Sequence, residues 1–223
     1  MTFSLPLVRL AALSGLVLAS CVAALHALAQ SSEAPFIDAL KVFQLARDGD
    51  SSQIEPAIAA FDALARAEPQ QPLYTAYLGS ADGVKAREAW MPWNKLRYAE
   101  EGLDHIDRAL AALQPEHDRA SMRGVPVSLE TRLVAARTFF AVPDAIFHRR
   151  AAAKKLLEEL FRHPALAAAP AGFRAAVHMQ GARAAKEDGR AEDERTHLKQ
   201  VLSLAGSGPE AGAARARLKE LGL

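Results

Sequence analysis

The sequence predicts an all-α fold: a right-handed stack of antiparallel helical hairpins with a C-terminal capping helix. Three observations carry this. From Phe36 onward apolar residues recur at spacings of three and four, the period of one helix face. Many of the 12 prolines fall between these periodic segments rather than inside them. Alanine and arginine are used heavily while valine and isoleucine are sparse, a mix that favours helix over strand. No alternating apolar segment is long enough to read as a strand.

Residues 1–29 read as a signal peptide. Arg9 precedes an uncharged Leu/Ala-rich run, Leu10 to Leu28, that closes in the small-x-small site Ala27-Leu28-Ala29. Cleavage there leaves a polar start, Gln30-Ser31-Ser32-Glu33, and a single helical domain over 30–223. Leu18-Ala19-Ser20-Cys21 also fits a bacterial lipobox, and Cys21 is the one cysteine of the chain, so lipidation at Cys21 is the competing outcome. Against it, Val22 to Ala29 continues the apolar run where a lipid-anchored protein has a polar linker. An uncleaved anchor is the third outcome, since about 20 apolar residues span a bilayer. The expected compartment is therefore outside the cytoplasm, periplasmic or envelope-associated.

Removing residues 1–29 takes away Arg9 and no acid, so 27 basic and 26 acidic residues become 26 and 26. A balanced charge argues against nucleic acid, which needs a surplus of Lys and Arg on one face. It equally argues against electrostatic attachment to anionic lipid. Membrane association is expected only through a lipid or an uncleaved leader. Without a thiol in the mature part, stability must come from apolar burial, which a chain of this length can supply.

The elements follow in order. Phe36 to Arg47 carries Phe36, Ile37, Leu40, Phe43 and Leu45 on a helical period, and Asp48-Gly49-Asp50-Ser51-Ser52 breaks it. Its partner runs from Ile54 to Ala67, with Pro56 tolerated in the first turn, and stops before Pro69. A second pair spans Pro72 to Glu88 and Leu96 to Leu113. A third spans Val127 to Phe140 and Ala145 to Arg162, and a fourth Ala171 to Glu187 and Glu192 to Leu204. Pro209 to Leu221 closes the exposed end as a cap.

Within the second helices a spacing repeats. Ala57-x3-Phe61-x2-Leu64-x4-Pro69 is followed by Gly102-x3-Ile106-x2-Ala109 before Pro115, with Leu103-x3-Asp107-x2-Leu110-x4-Pro115 as the alternative register, and by Ala153-x3-Leu157-x2-Leu160 before Pro164. A small residue lets two helices approach, larger apolar residues fill the groove, and proline ends the unit. In these positions the chain resembles tetratricopeptide repeat (TPR) proteins over most of Phe36 to Leu204. The hairpins span about 45 residues where that repeat has 34, and the first-helix Trp-x2-Leu-Gly signature is not met. The resemblance implies a scaffold that holds a protein or peptide on its inner surface. An irregular helical bundle is the alternative.

Two aromatic-rich connectors stand out. Arg87-Glu88-Ala89-Trp90-Met91-Pro92-Trp93-Asn94-Lys95 holds both tryptophans and reads as a long connector within one hairpin. It either folds back to plug the core or presents Trp90, Met91 and Trp93, flanked by Arg87 and Lys95, as an amphipathic binding wall. Phe139-Phe140-Ala141-Val142-Pro143, followed by Phe147, His148, Arg149 and Arg150, lies one hairpin further on, so the two turns are expected to share an edge. Cations opening a helix oppose its dipole unless they face an acid or a ligand.

His105, His117, His148, His163, His178 and His197 show no i, i+4 pairing and no His-Glu-x-x-His, so no metal site is expected. Nucleophile elbows and phosphate-binding glycine loops are also missing from the sequence. The expectation is a non-enzymatic adaptor without a cofactor, with Arg87, Trp90, Met91, Trp93, Lys95, Phe147, His148 and Arg149 as partner-binding residues. The alternative is an enzyme or small-ligand receptor with a pocket between the connectors, where Arg87, Lys95, His148 and Arg149 face the ligand.

Overall fold

The computed structural model describes residues 33–222, so the export segment and Cys21 lie outside the described residues. Helix α1 covers 33–47 and gives way at Gly49, whose φ of 117° suits a residue without a Cβ. The Asp50 carboxylate then caps the turn that follows, accepting from the Ser52 N–H at 3.1 Å. Next come α2 (Ile54–Ala67), α3 (Pro72–Glu88), α4 (Pro92–Ala111) and α5 (Val127–Ala141). Beyond them lie a single-turn α6 (Asp144–Phe147), α7 (Arg150–Arg162), α8 (Ala171–Glu187), α9 (Ala191–Ala205) and α10 (Pro209–Glu220). The all-α class holds.

The main departures from the sequence reading are a helix start, a helix break and a short hairpin. Helix α4 begins at Pro92 rather than Leu96, because proline at its first position has a preset helical φ and loses no hydrogen bond there. The connector is therefore only Ala89-Trp90-Met91, and Trp93 and Lys95 belong to the first turns of α4. The helix expected over Ala145 to Arg162 breaks at His148, which takes a left-handed φ of 52° and ends α6. A two-stranded hairpin, β1 (Ser121–Met122) and β2 (Val125–Pro126), turns through Arg123 and Gly124 at φ 53° and 74°. Positive φ at both central residues marks the mirror-image turn that matches strand twist.

Packing explains which helices are central. Helix α3 packs on α2, α4 and α5, α5 also on α7 and α4, α8 on α9, and α9 on α10. Helix α4 buries one stripe, Ala99, Gly102, Leu103, Ile106 and Ala109, as a helix with one wet face should. Helix α5 buries residues all round, from Val127 to Phe140, because neighbours cover it on several sides.

Side chains from α1, α2 and α3 interlock through aromatic rings. Phe61 stacks on Tyr77 at 5.1 Å between centroids, and Phe36 and Phe43 meet Tyr77 edge-on at 5.5 and 5.6 Å. Offset and edge-to-face pairs each contribute roughly 0.5–1.5 kcal/mol beyond area burial. A separate apolar cluster joins α8, α9 and α10 through Leu198, Val201, Ala214 and Leu218. Between these ends lies the core of α4, α5, α7 and α8.

Candidate functional site

The inner sides of α1, α3, α4, α5 and α8 enclose a cavity of about 900 Å³. Its walls are largely apolar, with Leu40 and Phe43 from α1, Val84 from α3, and Leu133 and Val134 from α5. Pro92, Lys95 and Leu96 from the start of α4 line it, as do Pro143, Ile146 and Phe147 at α6. Residues that flank the two turns therefore line one cavity, while Trp90, Met91, Trp93, Phe139 and Phe140 do not line it.

The tryptophans do not plug the core. Trp90 is 88% exposed and Trp93 65%, and Met91 and Leu96 are also exposed. Neither indole lines the cavity; both stand on the turn that flanks it. Aromatic surface of this kind is uncommon on an isolated soluble domain, where exposed apolar clusters mark contact sites.

The cations divide differently from the sequence reading. Arg87 and Lys95 line the cavity, but Arg87 is held by Glu88 at 2.7 Å and by the Arg47 carbonyl at 3.1 Å. Lys95 Nζ donates to the Arg87 carbonyl at 3.3 Å. Arg149 does not face a ligand space: it grips Asp107 of α4 through two hydrogen bonds, at 3.1 and 2.6 Å, and stacks over Phe139. His148 is exposed at the left-handed break and does not line the cavity. Arg150 likewise meets an acid, Glu187, at 3.2 Å, and its backbone N–H donates to Asp144 at 2.6 Å. Those acids remove the conflict with the helix dipole.

Three cations on the wall went unremarked in the sequence: Arg47, Arg123 and Arg137. The hairpin turn aims Arg123 at Glu130, a buried acid that also accepts the Tyr77 hydroxyl at 2.7 Å. Burial, then the Glu130 charge, pushes the Tyr77 hydroxyl pKa well up, so it stays a donor. Arg137 is a lone charge in the run Leu133-Val134-Ala135-Ala136-Arg137-Thr138-Phe139-Phe140. That interruption was the available signal.

Elsewhere, the histidines serve packing. The His117 Nδ1 accepts the Gln114 N–H at 2.9 Å while its Nε2 meets the Gln70 carbonyl at 3.1 Å, which requires the proton on Nε2. His105 binds the buried Asp82 at 3.0 Å, joining α3 to α4. Among the described residues no group of three His, Cys, Asp or Glu side chains is placed to hold a metal ion, and no helix is long and apolar enough to cross a membrane. Comparison of the chain with protein families, curated proteins and solved structures finds no match.

Proposed function

We propose that the chain is an exported, non-enzymatic scaffold built as a right-handed TPR-like stack of helical hairpins, and that it docks an envelope protein or peptide on the edge formed by Trp90, Met91 and Trp93. One observation carries this reading: two indoles stand in solvent on a three-residue connector and the turn after it. Large rigid rings bury much area on binding at little entropic cost, which makes them the usual anchors of an interface. Arg87, Lys95 and Phe147, grouped at the adjacent cavity, supply the flanking charge and a further apolar contact.

The stacking itself is supported by the succession of packed neighbours, α2 on α3, α3 on α4, α4 on α5, and α8 on α9. It is also supported by Leu78-Gly79, which keeps the Leu-Gly step of the TPR first helix with Thr75 where that signature has tryptophan. Export rests on the composition of residues 1–29 and on the Ala27-Leu28-Ala29 site.

The test is site-specific photocrosslinking in intact cells. A photoreactive residue at Trp90 is expected to give a discrete protein adduct, reduced when Trp93→Ala is added, while the same group at the exposed Lys219 of α10 gives none. Equal adducts from both positions, or none from Trp90, would overturn the docking edge.

A further inference from the structure

Arg137 stands out among the charges of the cavity. It is half-buried on α5, its side chain lines the cavity wall, and among the described residues it has neither an ion-pair partner nor a hydrogen-bond acceptor. The other wall cations are engaged: Arg123 with Glu130, Arg87 with Glu88, Arg47 with Asp48 at 3.1 Å, and Lys95 with a backbone carbonyl. The acids facing Arg137 do not neutralise it. Glu130 is held by Tyr77 and Arg123, and Glu210 of α10 attracts it only from beyond ion-pair distance. Burial, with repulsion from Arg47, depresses the guanidinium pKa, yet an arginine remains charged at any physiological pH.

A desolvated cation without a counter-charge is costly unless something supplies the anion. Apart from the charged groups already named, the same cavity wall carries apolar Leu133, Val134, Val142, Phe147 and Phe173. The volume, about 900 Å³, lies within the range of roughly 300–1,000 Å³ that holds small organic ligands.

We propose that this cavity binds an aliphatic monocarboxylate of the fatty-acid class, its carboxylate on Arg137 and its chain along Leu133, Val134, Val142, Phe147 and Phe173. The site adjoins the tryptophan edge and shares Phe147 with it, but neither indole lines the cavity. A single planar guanidinium matches one carboxylate in a two-bond fork. A phosphate dianion would need a second free cation beside Arg137, and Arg123, Arg87 and Arg47 each already hold a carboxylate. The ligand-facing cation is thus Arg137, rather than Arg87, Lys95, His148 or Arg149, the four expected from the sequence.

Gly83 of α3 supplies a control within the same cavity. It lines the wall, and a Cβ there would meet only the Thr138 Cγ2, at 3.7 Å, so a larger side chain has room to enter. Gly83→Leu therefore fills the cavity without straining the helix.

The experiment is calorimetric titration of the protein, as its host processes it and freed of lipid, with dodecanoate, dodecanol and an apolar peptide bearing a free C-terminus. Saturable binding of dodecanoate is expected, tighter than dodecanol by roughly tenfold or more, the difference a charge-assisted hydrogen-bond pair makes. Arg137→Met should remove that preference and leave dodecanol binding in place, and Gly83→Leu should abolish both. Absence of saturable dodecanoate binding, equal affinity for dodecanol, an unchanged Arg137→Met, or a preference for the peptide would each overturn the assignment. Since Trp90 and Trp93 do not line the cavity, these outcomes are independent of the photocrosslinking result.

Discussion

Gly79 of α3 and Gly102 of α4 face each other across the tightest helix crossing among the described glycines. A Cβ on Gly79 would stand 2.5 Å from the Gly102 carbonyl oxygen, and one on Gly102 would stand 2.7 Å from the Gly79 carbonyl oxygen. The obstacle in both cases is backbone, which cannot swing aside as a side chain can. This approach brings Asp82 within reach of His105 and seats Ile106 against α3.

Gly79→Ala is therefore expected to destabilise the fold even though alanine is the better helix former. Overpacking costs roughly 1–3 kcal/mol, against a propensity gain of about 1 kcal/mol. Gly83→Ala, one turn along the same helix, where a Cβ would make only an ordinary 3.7 Å contact with Thr138 Cγ2, has the gain without the clash and should stabilise by up to about 1 kcal/mol. Urea denaturation midpoints that move in opposite directions would confirm the crossing; a stabilised Gly79→Ala would refute it.

Part of this arrangement was legible beforehand. The spacing Gly102-x3-Ile106-x2-Ala109 marks the stripe that α4 buries, because a periodic apolar face reports burial whatever it packs against. Gly79 carries no such signal, since its role exists only when a second backbone arrives 23 positions later in the chain. The α4 start was misplaced by reading Pro92 as loop, although proline is favoured in a first helical turn. Arg149 was nominated for a ligand because its acid, Asp107, is remote in sequence. Arg137 interrupts an apolar run in the sequence, but its lack of a partner among the described residues exists only in the fold.

Arg137→Met should leave the unliganded protein at least as stable as the parent. The substitution removes a half-buried charge with no described partner and keeps the side-chain length, so a gain of about 1 kcal/mol in unfolding free energy is expected. Thermal denaturation of lipid-free protein checks it. A loss of more than about 1 kcal/mol would instead mean that the guanidinium holds the fold together through contacts beyond the described residues.

Stability should fall with mild acid because of a histidine pair. His178 of α8 and His197 of α9 bring their Nδ1 atoms to 3.0 Å, both against Phe161. The short approach requires that at least one ring be neutral. Burial lowers both pKa values; proximity to His197 and then Arg174 adds to it at His178, while at His197 Asp193 opposes and Arg190 assists. With folded values below the ordinary 6.5, the unfolded chain takes up more protons once pH drops under that point, so stability is complete above it and declines below. Denaturation midpoints should be flat above neutral pH and decline from about pH 6.5 downward, with a shallower decline in His178→Gln. A decline unchanged by that substitution would assign it to other groups.

The last helix depends on one buried acid. Glu194 of α9 is 3% exposed, and Arg217 of α10 reaches both of its oxygens, at 2.6 and 3.2 Å. Arg217→Met leaves that carboxylate buried without its partner, and an orphaned charge in such a place is relieved most simply by letting water in. Helix α10 is held otherwise by Ala211, Ala214 and Leu218, too small an apolar face to resist. Amide exchange over residues 210–220 should therefore quicken in Arg217→Met while exchange in α3 and α5 stays slow. Adding Glu194→Leu replaces the charge with apolar volume and should restore much of the protection, since a buried pair exchanged for hydrophobes is often neutral or stabilising. If the single variant exchanges like the parent, the ion pair is incidental to the docking of α10.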